Sequence, residues 1–254
     1  MATSGPTVAM DEIRKSFGPV RALDGASLKA YSGQVLGILG DNGAGKSTMI
    51  KILSGVYKAD SGKIIFEGKD VEFNSPMDAR RIGIETIYQD LAIVNDLSVY
   101  HNIFLAREKL WGRLPVVKLL RNGRMANDAV DVLKEVNADI QNVNVKVGTL
   151  SGGQRQVVAV ARSVFFSAKV LIMDEPTASL GVVETRRVLN LISSIKERGN
   201  IAVILIAHNI QQVMSVADQV IILSRGKVVA EREVKSSSVD EVINLITTAS
   251  LGSR

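Results

Sequence analysis

The sequence predicts an α/β fold in a single domain, with a parallel sheet flanked by helices. Three observations predict it. Val170 to Met173 and Ile201 to Ala207 are unbroken apolar runs of the length a fully buried parallel strand has. Val188, Leu191, Ile192 and Ile195 recur at helical spacing between them, and strand–helix alternation around a parallel core is the pattern of α/β proteins. A third apolar run, Gln34 to Leu39, ends at Gly40 and leads through a glycine-rich segment into a predicted helix from Lys46 to Ser54.

Taken in order, the first third reads as strands joined by glycine turns. Val8, Met10 and Leu28 lie in short strands. Ile64-Ile65-Phe66 and Lys69-Asp70-Val71 flank Glu67-Gly68 as a hairpin. Ser75-Pro76 reads as a helix start, with serine as cap and proline in the first turn. Ile84 to Tyr88 is another strand. Residues 91–164 change character and read as an inserted helical region. There Ala126, Ala129, Val130, Leu133 and Val136 mark one helix face, and Ser151 with Gln154 marks another helix start. The basic stretch Lys109 to Gly123 fits no element. Near the end, Val220 to Leu223 and Lys227 to Glu231 flank Arg225-Gly226 as a second hairpin. Ser238 and Glu241 then cap a helix carrying Val242, Leu245 and Ile246.

Composition bounds the function. The 254 residues are 46% hydrophobic and 22% charged, enough for a sizeable core and incompatible with a disordered chain. The net charge of +5 permits a polyanionic partner without demanding one. Aromatics at 4% argue against a base-stacking surface, and nucleic acid is not expected as a partner. With no cysteine, disulfides, thiolate metal clusters and a cysteine nucleophile are excluded. Met1 to Pro6 has no basic region leading into an apolar run, so no signal peptide is expected. No apolar run approaches the roughly 20 residues of a spanning helix. Any membrane role is expected to come through another protein.

Two motifs carry the chemistry. Gly40-Asp41-Asn42-Gly43-Ala44-Gly45-Lys46-Ser47-Thr48 fits the phosphate-binding loop G-x-x-x-x-G-K-[ST], and it lies between a predicted strand and a predicted helix, as that loop must. Its glycines let successive N–H groups turn toward phosphate oxygens, and the helix behind directs its positive end there. Lys46 brings a charge to the β- and γ-phosphates of a nucleotide, and Ser47 offers a hydroxyl to Mg²⁺. The run Val170 to Met173 delivers Asp174 and Glu175 at the carboxyl end of a buried strand, where open α/β sheets bind ligands. Asp174 suits the Mg²⁺ shell, and Glu175 suits a general base for water. Loop and carboxylate together imply a nucleoside triphosphatase or a kinase.

Leu150-Ser151-Gly152-Gly153-Gln154 narrows this further. With it the sequence resembles the ATP-binding-cassette ATPases over residues 7–231. It is most similar to the ATP-binding subunits of bacterial sugar importers of the ribose, xylose and fructose type. The phosphate loop, Tyr88-Gln89-Asp90-Leu91-Ala92 and Glu175-Pro176-Thr177-Ala178-Ser179-Leu180-Gly181-Val182 carry the closer likeness. The resemblance implies a P-loop ATPase core with an N-terminal antiparallel β subdomain and a helical subdomain within residues 91–164. It implies that Ser151, Gly152, Gly153 and Gln154 serve ATP on a second copy of the chain, and that Gln89 reaches metal and attacking water. It further implies that His208 contacts the γ-phosphate and orients the catalytic acid, and that Phe17 stacks on adenine. The implied partners are that second copy, a transmembrane permease and, indirectly, a periplasmic sugar-binding protein. The implied location is peripheral, at the cytoplasmic face of the bacterial inner membrane. One departure stands out: the family often has an aspartate where this chain has Gly181. His101 matches no motif and reads as structural. A cassette ATPase of iron–sulfur assembly is the main rival reading. A kinase is disfavoured by Leu150–Gln154, and a chromosome-organising cassette by the lack of a heptad run.

Overall fold

The computed structural model describes residues 5–111, 119–178 and 180–251; Ser179 and part of the basic stretch 109–123 lie outside them. The first elements are β1 (Val8–Phe17), β2 (Val20–Ala30), β3 (Val35–Leu39), α1 (Lys46–Leu53), β4 (Ser61–Phe66), β5 (Lys69–Val71), α2 (Pro76–Arg81) and β6 (Ile84–Ile87). The middle holds α3 (Val99–Ile103), β7 (Leu110–Trp111), β8 (Leu119–Leu120), α4 (Asn122–Glu135) and α5 (Gly152–Phe165). Then come β9 (Val170–Asp174), α6 (Val182–Glu197), β10 (Ala202–Ile206), α7 (Ile210–Val216), β11 (Gln219–Ser224), β12 (Lys227–Glu233) and α8 (Val239–Leu251).

The strands form two large sheets. One is antiparallel in the order β2-β1-β4-β5. The strands β1 and β2 are longer than the short strands expected, because they pair along nearly their whole length from Val8–Ala30 to Phe17–Val20. The other sheet runs β12-β11-β3-β10-β9-β6 and is parallel apart from its edge strand β12. The predicted hairpin at Glu67-Gly68 forms with φ of 47° and 78°, the pair of positive values a tight two-residue turn needs.

The core explains the unbroken apolar runs. Successive side chains of a strand point to opposite faces. Val35, Leu39, Leu171, Met173, Val203, Leu205, Val220 and Ile222 face a core shared with α4, α5 and α6. Leu36, Ile38, Val170, Ile172, Ile204, Ile206, Ile221 and Leu223 face a second core shared with α1 and the antiparallel sheet. A sheet buried on both faces cannot alternate polar with apolar.

Two local expectations are corrected. In α4 the fully buried stripe is Met125, Ala129, Val132 and Leu133, continuing to Val136, while Ala126 and Val130 are only partly buried on its edge. Met125 and Val132 satisfy the same three- and four-residue spacing and lie nearer the centre of the arc. At α2, Pro76 is in the first turn but Ser75 makes no side-chain cap. Its hydroxyl donates instead to the Asp78 carboxylate at 3.0 Å, and the same carboxylate accepts the Asn74 N–H.

Candidate active site

Parallel register sets the site. Ile206 lies opposite both Ile38 on β3 and Asp174 on β9, and Met173 lies opposite Ile87 on β6. The carboxyl ends of β3, β10, β9 and β6 therefore emerge along one edge. The next residues along the chain are the phosphate loop, His208, Glu175 and Gln89.

The loop from Gly40 to Gly45 needs its glycines for two distinct reasons. Gly40 has φ 145°, and a Cβ there would lie 2.1 Å from the Leu223 carbonyl oxygen. Gly45 has φ 108°, and a Cβ would lie 2.6 Å from the Ala22 carbonyl oxygen. Helix α1 follows with no side-chain cap and no acidic residue in its first turn, so its positive end is left for an anion. The Lys46 ammonium donates to the carbonyls of Gly40 at 2.6 Å and Asp41 at 2.9 Å. Burial lowers its pKa below the ordinary lysine value, opposed by the charges of Glu175, Asp41 and Asp174. Ser47 is exposed at the start of the same helix, and Thr48 is half-buried.

Glu175 is a strained residue. Its φ of 53° is rare for a side-chain-bearing residue, and its N–H donates to the Ile206 carbonyl at 2.8 Å. Its Oε1 lies 2.7 Å from His208 Nε2. Asp174 beside it has a raised pKa, first from burial and then from the Glu175 charge, against the lowering effect of Lys51, Lys46 and His208. Among the described residues no three His, Cys, Asp or Glu side chains form a metal cage. Mg²⁺ does not require one, since it keeps water and phosphate oxygens as ligands and takes one or two from protein. The available donors, the Ser47 hydroxyl, the Asp174 carboxylate and the Gln89 amide oxygen, suit it. A carboxylate pushed toward its neutral form is also a group that an added cation restores to its anion.

A cleft of about 430 Å³ joins Gln89, Leu91, Glu175 and Gly181 to Gly152 and Glu184. The expected helix start is formed in full. Ser151 Oγ accepts the Gln154 N–H at 3.3 Å, and Gln154 Oε1 accepts the Ser151 N–H at 3.1 Å. This leaves the backbone end at Gly152 facing the cleft, which no residue of the chain's own phosphate loop lines, while Gly153 is buried and lines a neighbouring cavity. Phe17 stands apart from the group. Its ring is 42% exposed and rests edge-on against Tyr57 at 5.2 Å between centroids. His101 behaves structurally, with Nδ1 2.9 Å from the Ser98 hydroxyl and its ring against Tyr100.

Sequence reasoning missed one wall. The β11–β12 turn packs on the phosphate loop: Gly226 N–H donates to the Ala44 carbonyl at 2.8 Å. Ser224 and Arg225 line a cavity of about 230 Å³ with Asp41, Asn42, Gly43 and Ala44. Arg225-Gly226 was legible as a hairpin turn, but nothing within the hairpin says which loop it will touch.

Comparison with known proteins agrees with this geometry. The family model described as ABC transporter matches residues 23–178. The chain is 50% identical over 241 residues to the xylose/arabinose import ATP-binding protein XylG of Sulfolobus acidocaldarius, covering 95% of this chain and 94% of that one. It is 44% identical over 250 residues to the fructose import ATP-binding protein FrcA of Rhizobium meliloti, covering 96% and 95%. An ATP-binding cassette of an ABC transporter, solved in its ADP conformation, has TM-score 0.80 and 27% identity, with 96% of each chain covered. With a phosphate loop, a strand-end acid pair and a capped glycine helix end on one α/β frame, the chain belongs to the ABC transporter family of ATP-binding cassettes.

Proposed function

We propose that this protein is the ATP-hydrolysing subunit of a sugar importer, taking a monosaccharide such as xylose, fructose or ribose through a separate membrane permease. The names of the relatives support the import reading over iron–sulfur assembly. The observation that carries the chemistry is the Glu175–His208 pair, 2.7 Å apart at the strand ends that also present the phosphate loop.

In this reading Gly40 to Thr48 hold the phosphates, Lys46 faces the β- and γ-phosphates, and Phe17 offers its exposed ring to adenine. Mg²⁺ bound with the nucleotide would be held by Ser47, Asp174 and Gln89 and would neutralise phosphate charge. Glu175 takes a proton from water as the water oxygen bonds to the γ-phosphorus. The bond to the bridging oxygen breaks, and ADP departs with the electron pair. His208 holds the Glu175 carboxylate in place and donates toward the γ-phosphate.

Ser151, Gly152, Gly153 and Gln154 of each chain clamp the nucleotide of a second copy, giving a head-to-tail homodimer. ATP touches two faces of the closed pair and one face of the open chain, so it favours closure. The permease seats beside Gln89, at the mouth of the helical region 91–164. A periplasmic sugar-binding protein supplies the substrate, and the subunit works peripherally at the cytoplasmic face of the inner membrane.

The test is Glu175→Gln. It is expected to bind MgATP and accumulate as a closed dimer in size-exclusion chromatography, with turnover reduced at least a hundredfold. Near wild-type hydrolysis by this variant removes Glu175 as the base.

A further inference from the structure

Phe17 closes β1 with its backbone paired to Val20, yet its ring is 42% exposed. The groups that fix the ring come from the segment after α1. Asp60 in that segment is tied to β1 three times. Its N–H donates to the Arg14 carbonyl at 2.9 Å. Its carboxylate accepts the Ser16 N–H at 2.7 Å and the Lys15 ammonium at 2.6 Å. These two bonds, the one from Lys15 first, hold the Asp60 carboxyl below the ordinary aspartate value. The same Lys15 ammonium lies over the Phe17 ring, 5.6 Å from its centroid. Tyr57, three residues before Asp60, meets the ring edge-on at 5.2 Å.

The segment that carries Tyr57 and Asp60 is itself anchored to α1. The N–H groups of Val56 and Tyr57 both donate to the Lys51 carbonyl, at 2.8 and 3.0 Å, and the Lys51 ammonium lies 5.6 Å from the Tyr57 ring centroid. The other end of α1 is the phosphate loop. One short helix therefore carries the phosphate-holding groups at its start and, through the turn at its end, the groups that hold an aromatic ring. We propose that Asp60 and Tyr57 are positioning residues that set the Phe17 ring as a base platform at a fixed distance from the phosphate site. This inference rests on the reading that Phe17 stacks on adenine. The Lys15–Asp60 pair is partly exposed and adds little stability of its own. Its part is to point the ring, and a ring already pointed leaves less ordering to be done when a nucleotide binds.

The contrast that tests this is between a ligand with a base and one without. Asp60→Ala removes both carboxylate bonds, and Tyr57→Leu removes the edge-on ring. Affinities of the purified full chain for ADP and for inorganic pyrophosphate are measured by calorimetry, with thermal unfolding alongside. Both variants are expected to bind ADP about fivefold more weakly, the low end of what a base–aromatic stack is worth. Pyrophosphate binding stays near the wild type, whereas a general loosening of the fold would weaken both ligands. If Asp60→Ala lowers the melting temperature, Asp60→Asn, which keeps an acceptor for the Ser16 N–H, is expected to show the same split at smaller size.

Phe17→Ala is the reference. Adding Asp60→Ala to it is expected to bring no further loss of ADP affinity, because Asp60 acts through the ring. Wild-type ADP affinity in Asp60→Ala and Tyr57→Leu, equal losses for ADP and pyrophosphate, or losses that add to that of Phe17→Ala would overturn the positioning role. Wild-type ADP affinity in Phe17→Ala itself would instead overturn the adenine reading, and this inference with it.

Discussion

Asp174 and Glu175 are adjacent carboxylates, and the first is held against its own preference. Burial and the Glu175 charge raise the Asp174 pKa above 3.8, so near its titration the folded chain binds more protons than the unfolded one. Stability from this group therefore falls as pH rises from 3.8 through the raised value, and the penalty persists at neutral pH. Asp174→Asn is expected to raise stability at pH 7 while abolishing turnover. The gain shrinks as the pH is brought below 3.8, under the raised value, where the wild-type carboxyl takes up its proton. Melting curves at the two pH values check both statements; an equal gain at both would contradict the electrostatic account. The acid pair was legible from sequence because an apolar strand ended on it. The Glu175 φ of 53° was not, since it depends on where the chain must turn after β9.

In the proposed sandwich, the capped end of α5 is the element on which the second half of each nucleotide site depends. Ser151 and Gln154 satisfy each other's backbone N–H groups within four residues, and so the pattern was readable in one dimension. Ser151→Ala removes one of these bonds and is expected to cost about 1 kcal/mol of stability. It should also weaken ATP-driven pairing of Glu175→Gln chains, measured by light scattering; undiminished pairing would show that the hydroxyl serves the helix alone. Other elements answered less to local pattern. Glu85 is buried and bonded by Arg107 at 2.8 Å, with Arg80 at 3.8 Å, and Arg162 donates to the carbonyls of Leu91 and Ala92. These partners lie up to 71 residues apart, and no periodicity announces them.

At the scale of the molecule, the strand order β12-β11-β3-β10-β9-β6 decides which strand ends meet. Sequence showed an α/β fold and most of the strands, but not that β10 would lie between β3 and β9 and so carry His208 to Glu175. No helix among the described residues is long and apolar enough to cross a membrane, and in the proposed importer the permease takes that part. If two chains share each nucleotide, the rate per chain must fall on dilution, because closure is bimolecular. Turnover measured across a thousandfold dilution tests this, and a flat rate per chain would contradict the shared site.

The β11–β12 turn has a further consequence. It is wedged between β2 and the phosphate loop, with Gly226 accepting from Asp24 N–H and donating to Ala44. The hairpin thus acts as a splint for a loop laid down some 180 residues earlier in the chain. A chain trimmed before Gln219 would retain every recognisable motif yet lose its grip on ATP, which calorimetry on the trimmed protein would register. The stretch that advertises the family is therefore shorter than the stretch needed to make the pocket.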